Sequence, residues 1–128
     1  MGIDVRFVDP SDPQNFANAT DDKTRAYYGE VLPNPSFEVF PISEVAEIGR
    51  PLGIPLIVDN TAAPVICKPF DHGAAVLIHS TTKFIGGHGT SIGGIIVDSG
   101  NFDWIKDRKR QPLLNEPDQS YGGAIWTD

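Results

Sequence analysis

Ser80, Thr82 and Lys83 stand at the end of the apolar run Val76-Leu77-Ile78, and Phe84-Ile85-Gly86-Gly87-His88-Gly89-Thr90-Ser91-Ile92-Gly93-Gly94 follows them. An amine just beyond a buried strand is expected to be partly desolvated. Burial disfavours the charged form of a lysine and leaves its amine a better nucleophile, suited to Schiff-base chemistry with an aldehyde. The hydroxyls of Ser80 and Thr82 can donate to phosphate oxygens within a tight turn, and the glycines permit close backbone approach. The alternative is a polar turn with a solvated lysine. Asp59 closes a second apolar run, Pro55-Leu56-Ile57-Val58. Its side chain could simply satisfy the following turn. It could equally hold a cation in the crevice, such as a pyridinium nitrogen that must stay protonated to absorb electrons.

Other chemistries fit less well. A nucleotide-binding P-loop needs its lysine after the glycines, whereas Lys83 precedes them. His72 in a turn, His79 late in a strand and His88 among glycines share no common setting, so no metal site is expected. Cys67 is the single cysteine, with no partner for a disulfide or a cysteine-type zinc site. It is expected to be a packed apolar side chain rather than a catalytic thiol.

These residues need elements to position them. Residues 3–8 alternate apolar and polar and predict a strand. Ser11 can cap a short helix carrying Phe16 and Ala17. Residues 25–32 predict a second strand, stopped by Pro33-Asn34-Pro35. Ile42, Val45, Ala46 and Ile48 follow helical spacing in residues 41–53, with Ser43 as a candidate cap and Gly53 just past the end. Residues 55–59, 76–80 and 95–98 are nearly all apolar, as in strands covered on both faces. Residues 102–110 predict a short helix whose basic run, Lys106 to Arg110, forms a solvated face. The order is that of an α/β sandwich with a mainly parallel sheet, and in such sheets chemistry collects at the carboxyl ends of the strands. Asp59 and Ser80 to Lys83 both occupy such ends.

The chain has 128 residues, 40% hydrophobic and 21% charged, with a formal charge of −7. That composition suits one globular domain. The acidic balance gives no footprint for nucleic acid or an anionic membrane. The apolar stretches are too short to span a bilayer, and the start at Met1-Gly2 lacks the pattern of a signal peptide or, with Arg6 at the sixth position, of a myristoylation site. A cytoplasmic protein is expected.

The ordered pair of motifs is specific. Val58-Asp59-Asn60-Thr61 with Pro64, then Val76-Leu77-Ile78-His79-Ser80-Thr81-Thr82-Lys83-Phe84-Ile85-Gly86-Gly87-His88, resembles the Cys/Met-metabolism (transsulfuration) family of pyridoxal-phosphate enzymes over nearly the whole chain. The continuation Gly89-Thr90-Ser91-Ile92-Gly93-Gly94, Ala62 and residues 111–121 are similar to the O-acetylhomoserine sulfhydrylase branch. Ala75 and Gly122 depart from the family pattern. The resemblance implies part of a fold-type I large domain, a three-layer α/β sandwich, with residues 1–128 as a partial cofactor-binding domain and an N-terminal segment and small C-terminal domain absent. It implies pyridoxal 5'-phosphate held by Lys83 as a Schiff base, with Asp59 on the pyridine nitrogen, Ser80 and Thr82 on the phosphate, and Asn34 on the phenolic oxygen. Asn34-Pro35 is also a common turn on its own.

The activity so implied is γ-replacement on O-acetylhomoserine by sulfide or methanethiol, giving homocysteine or methionine and acetate. Lys83 would act as general base and acid in turn. The substrate is a small amino acid and the protein a homo-oligomer, a dimer or tetramer. The alternatives are a γ-lyase or cystathionine γ-synthase of the same family, or a truncated and inactive fragment that keeps part of the fold.

Overall fold

The computed structural model describes residues 2–128, so Met1 lies outside it. The elements in order are α1 (Gln14–Ala19), β1 (Tyr27–Glu30), α2 (Ile42–Gly49), β2 (Leu56–Asp59), β3 (Val76–Ser80), β4 (Gly94–Asp98) and α3 (Pro112–Asn115). The strands form one sheet in the order β1-β2-β3-β4. The first three run parallel and β4 pairs antiparallel to β3. The expected α/β fold with a mainly parallel sheet is therefore present.

Alternation within the strands decides what each face does. Tyr27 pairs with Leu56, Gly29 with Val58, and Val58 with Leu77, and this face is the core. Leu56 and Val58 are essentially inaccessible there, at 1% and 0% exposure. Covering them is α2, whose Ile42, Val45, Ala46 and Gly49 fall on one face at helical spacing and are all buried. Phe16 of α1 completes the cluster, edge-on to Tyr27 at 5.5 Å and to Phe40 at 5.9 Å. Such ring pairs contribute about 0.5–1.5 kcal/mol beyond their buried area. The opposite face carries Tyr28, Glu30, Ile57, Asp59, Val76, Ile78 and Ser80, partly exposed at every position. That polar-and-apolar face leads to the strand ends.

Several sequence expectations are corrected. Residues 3–8 form no strand: Ile3, Val5 and Phe7 are 76%, 68% and 95% exposed. Alternation supplies a strand-like pattern, but a strand exists only where a neighbour completes the ladder, and here none does among the described residues. Arg6 tethers the segment instead, to the Ala19 carbonyl at 2.7 Å and to the Asp21 carboxylate. Ser11 does not cap α1; Pro13 occupies that position, and Asp12 takes the Gln14 amide at 2.9 Å. Ser43 does not cap α2 but meets His72 Nδ1 at 3.3 Å. The expectation that all the apolar strands are covered fails for β4, an edge strand with Ile95 and Ile96 47% and 74% exposed.

Residues 102–110 turn without forming a helix. Asp103 Oδ1 accepts from the Ile105 amide and Asp107 Oδ1 from the Lys109 amide, local bonds that compete with helical ones. The basic run is also not wholly a solvated face. Arg110 donates to the carbonyls of Leu52 at 3.0 Å, Asp21 at 2.8 Å and Thr24 at 2.9 Å. It thereby staples three loops together.

Two outcomes test this packing. A Cβ on Gly29 would lie 2.5 Å from the Phe40 ring. Gly29→Ala should therefore cost about 1–3 kcal/mol by overpacking, and a double-mutant cycle with Phe40→Leu should show the two changes partly rescuing each other in urea unfolding. Arg110→Met should lower stability by at least about 1.5 kcal/mol, the contribution of a hydrogen bond from a charged group, with an unfolding midpoint that reports it.

Candidate functional site

Three parallel strands end at one edge of the sheet, so their last residues are brought together by topology alone. At the end of β2 stands Asp59, in register with Glu30 of β1 and Ile78 of β3. Two residues beyond Ile78, Ser80 ends β3, and Thr81–Ile85 follow as a π-type turn whose helical geometry breaks at Lys83, φ −93° and ψ −119°. Asn34 lies in the loop after β1. The residues singled out from sequence thus all lie at or just past the carboxyl ends of β1, β2 and β3.

Asp59 is half-buried and its two oxygens are used differently. Oδ1 accepts from the Thr61 amide at 2.8 Å, closing the turn, so the local turn role holds. Oδ2 faces the Tyr28 hydroxyl at 3.5 Å. Tyr28 is pushed above the ordinary phenol range, chiefly by burial of its ring and then by the Asp59 and Glu30 carboxylates. Neither Tyr28 nor Thr61 was assigned a role from sequence. In the sequence Thr61 is visible only as part of the Asp-Asn-Thr motif, and Tyr28 only as one residue of the strand expected over 25–32.

The lysine differs from expectation. Lys83 is exposed, because the turn lifts it off the sheet edge and no other segment covers it among the described residues. The desolvation foreseen for it is not supplied here. Asn34 is exposed too, and its side chain makes no hydrogen bond among the described residues. Ser80 is half-buried, with its amide donating to Thr61 Oγ1 at 2.7 Å.

The Thr82 hydroxyl is already engaged: Oγ1 accepts from the Gly93 amide at 3.0 Å and donates to the Gly93 carbonyl at 3.2 Å. That clamp holds the glycine-rich loop, 86–93, against the turn. A Cβ at position 93 would lie 2.6 Å from Thr81 Oγ1, so a larger residue there would require that side chain to move. The loop and turn enclose an open cleft of about 280 Å³ lined by Thr81, Thr82, His88, Thr90 and Ser91 among others. Its walls combine hydroxyls and backbone with the side chains of Ile85 and Ile92, and the polar part could donate to an oxyanion.

Two buried atoms lie beneath this edge without a partner, Asn60 Oδ1 and His79 Nδ1. The Asn60 amide nitrogen of the side chain is satisfied by the Cys67 carbonyl at 3.0 Å. Cys67 itself is half-buried, and burial pushes its thiol up, as expected of an unreactive cysteine. No group of three or more His, Cys, Asp or Glu side chains able to hold a metal occurs among the described residues, and no helix there is long and apolar enough to cross a membrane.

The sequence matches the family model described as Cys/Met metabolism PLP-dependent enzyme over residues 1–124. It is 49% identical over 124 residues to the O-acetyl-L-homoserine sulfhydrylase of Leptospira meyeri, covering 96% of this chain and 28% of that one. It is 46% identical over 130 residues to the homocysteine synthase of Schizosaccharomyces pombe, covering 100% of this chain and 30% of that one. Among solved structures, it resembles a Campylobacter jejuni chain assigned as an O-acetylhomoserine (thiol)-lyase and carrying N'-pyridoxyl-lysine-5'-monophosphate. The TM-score is 0.86 at 33% identity, over 93% of this chain and 30% of that one. The O-acetylhomoserine sulfhydrylase of Wolinella succinogenes gives a TM-score of 0.74 at 36% identity, over 87% and 32%. The chain thus spans about 30% of the length of the relatives it matches.

The contact between Asp59 and Tyr28 is open to titration. Followed by tyrosinate absorbance, Tyr28 should ionise above the ordinary phenol range. Asp59→Asn should bring that step part of the way back, because it removes one negative neighbour and leaves the burial. A titration curve unchanged by the substitution would mean that the two side chains do not interact.

Proposed function

The chain belongs to the Cys/Met-metabolism family of pyridoxal-phosphate-dependent enzymes, and on that premise we propose that its residues serve γ-replacement on O-acetylhomoserine. Acetate leaves the γ-carbon, sulfide or methanethiol takes its place, and homocysteine or methionine results. The observation that carries the reading is the gathering of an acid, an amine and hydroxyls at adjacent ends of parallel strands, Asp59 beside Ile78 and Ser80 to Lys83 just beyond. Sequence similarity to sulfhydrylases supports the choice of reaction within the family.

The donor set fits pyridoxal phosphate: a carboxylate oxygen for a ring nitrogen, hydroxyls and free backbone for a phosphate, and an accessible amine for the aldehyde. When bound, that group stores the electron pair released at a substrate's α-carbon. Asp59 Oδ2 would hold the ring nitrogen, with Oδ1 anchored by Thr61 so that the carboxylate keeps its orientation. Ser80 and Thr82 would hold the phosphate, and Asn34 the phenolic oxygen. Thr82 can accept from Gly93 while turning its own proton from the Gly93 carbonyl to a phosphate oxygen. Lys83 Nζ would take the α-proton and return a proton later in the sequence of steps, acting as general base and then acid. For that shuttle the amine must be unprotonated when it takes the α-proton.

The exposure of Lys83 favours a second reading for these 128 residues taken by themselves, that they turn over no substrate. Residues 1–128 are then part of the cofactor-binding large domain. In the same proposal the protein is a cytoplasmic homo-oligomer acting on a small amino acid, with neither nucleic acid nor membrane as partner; a charge of −7 supports the exclusion of nucleic acid.

Borohydride reduction of the pyridoxal-phosphate-loaded protein, followed by peptide mass spectrometry, should place the label on Lys83. A label on Lys68 or Lys106 would overturn the site. Homocysteine should form from O-acetylhomoserine and sulfide in a cofactor-loaded full-length protein that carries Lys83, and Lys83→Ala should abolish it; on the second reading the 128 residues alone form none.

A further inference from the structure

Among the described residues, Thr61 alone bonds to both halves of the candidate site. Its backbone amide donates to Asp59 Oδ1 at 2.8 Å and its side-chain Oγ1 accepts from the Ser80 amide at 2.7 Å. The main-chain ladder between β2 and β3 runs out just before this point, with the Asn60 amide donating to the Ile78 carbonyl at 2.9 Å. Past that bond the chain after β2 turns away from β3. The next amide of β3 that needs a partner, that of Ser80, finds one in a side-chain oxygen in place of a carbonyl. Thr61 is half-buried, so a Ser80 amide deprived of this oxygen has no easy replacement.

We propose that Thr61 is a positioning residue that latches the acid-bearing end of β2 to the hydroxyl- and lysine-bearing end of β3, through its hydroxyl on the Ser80 amide. The inference rests on the function proposed above. Its consequence is a division of labour within one residue. The backbone amide orients Asp59 whatever the side chain is, whereas the hydroxyl fixes the backbone from which Ser80, Thr82 and Lys83 follow. Removing the hydroxyl alone should loosen the phosphate end of the site and spare the acid end.

Thr61→Val keeps the shape and the backbone amide and removes only the acceptor, while Thr61→Ser keeps the acceptor. Two measurements decide the matter. The first is hydrogen exchange at the Ser80 amide in the cofactor-free protein. It should be faster in Thr61→Val than in the parent and close to the parent in Thr61→Ser. The second is the affinity for pyridoxal phosphate against that for pyridoxal, which lacks the phosphate, each read by fluorescence quenching. Thr61→Val should bind pyridoxal phosphate about ten-fold more weakly, the effect of losing one buried hydrogen bond, with little change for pyridoxal, and Thr61→Ser should restore the affinity. Unchanged exchange at Ser80 in Thr61→Val overturns the latch. So does an equal loss for both ligands, or an equal loss in both variants, since either would reflect general loosening. If the parent protein takes up no pyridoxal phosphate, the proposed function falls, and the exchange measurement still decides the latch.

Discussion

The parallel register of β2 against β3, Ile57 beside Val76 and Asp59 beside Ile78, is the constraint on which the candidate site depends. Side chains alternate along a strand, so a slip of one residue would carry every one of them to the other face. Leu56 and Val58 would leave the core, and Asp59 would turn into it. Burying an aliphatic side chain of that size contributes about 1.5–3 kcal/mol, and burying an unpaired carboxylate costs more than that. Both effects push the same way. The hydrophobic core beneath α2 therefore fixes where a carboxylate stands on the other face of the sheet.

That coupling explains which parts of the structure were legible in the sequence. The runs ending in Asp59 and Ser80 announced buried strands because their apolar content is forced by coverage, and the site residues were legible because they interrupt those runs at once. Residues 3–8 show the limit of the same signal: Ile3, Val5 and Phe7 alternate as a strand would, but pairing is a property of a neighbour, which a segment's own pattern does not contain. Residues 102–110 failed for a different reason. Asp103 and Asp107 bond their own backbone two residues on, and a hydrophobic count does not register that competition. The exposure of Lys83 was also illegible, because burial depends on what folds over a turn and not on the run that leads to it.

Polar atoms below the edge carry a further cost that the apolar core must offset. Asn60 Oδ1 and His79 Nδ1 are buried without partners, and each such group costs about 1–3 kcal/mol. Both belong to the core side of strands whose next residues, Thr61 and Ser80, form the cross-strand bond at 2.7 Å. Polar groups concentrate where the strands end because the ladder ends there as well, and each amide released from it must be answered by a side chain. Thr61 answers one; the Asn60 amide group answers the Cys67 carbonyl. The same turn that frees backbone groups for a ligand thus consumes side chains to hold itself closed.

The electrostatics of the outer face follow from the register as well. Pairing β1 with β2 sets Glu30 beside Asp59, an acid next to an acid, which is unfavourable as a cross-strand pair. Their joint field, together with burial, raises Tyr28 above the ordinary phenol range. The two causes act differently on a nitrogen base placed at the same spot. Burial disfavours a charged form of either kind, so it raises a phenol and lowers a protonated ring nitrogen. The carboxylates favour the protonated form of both. For Tyr28 the two effects add, whereas for a pyridine nitrogen they oppose, and a second carboxylate at Glu30 shifts the balance toward the proton. A single aspartate on a half-buried sheet face would leave such a nitrogen contested between desolvation and charge. In the proposed site, a carboxylate at Glu30 would add to that of Asp59 in favouring the protonated nitrogen.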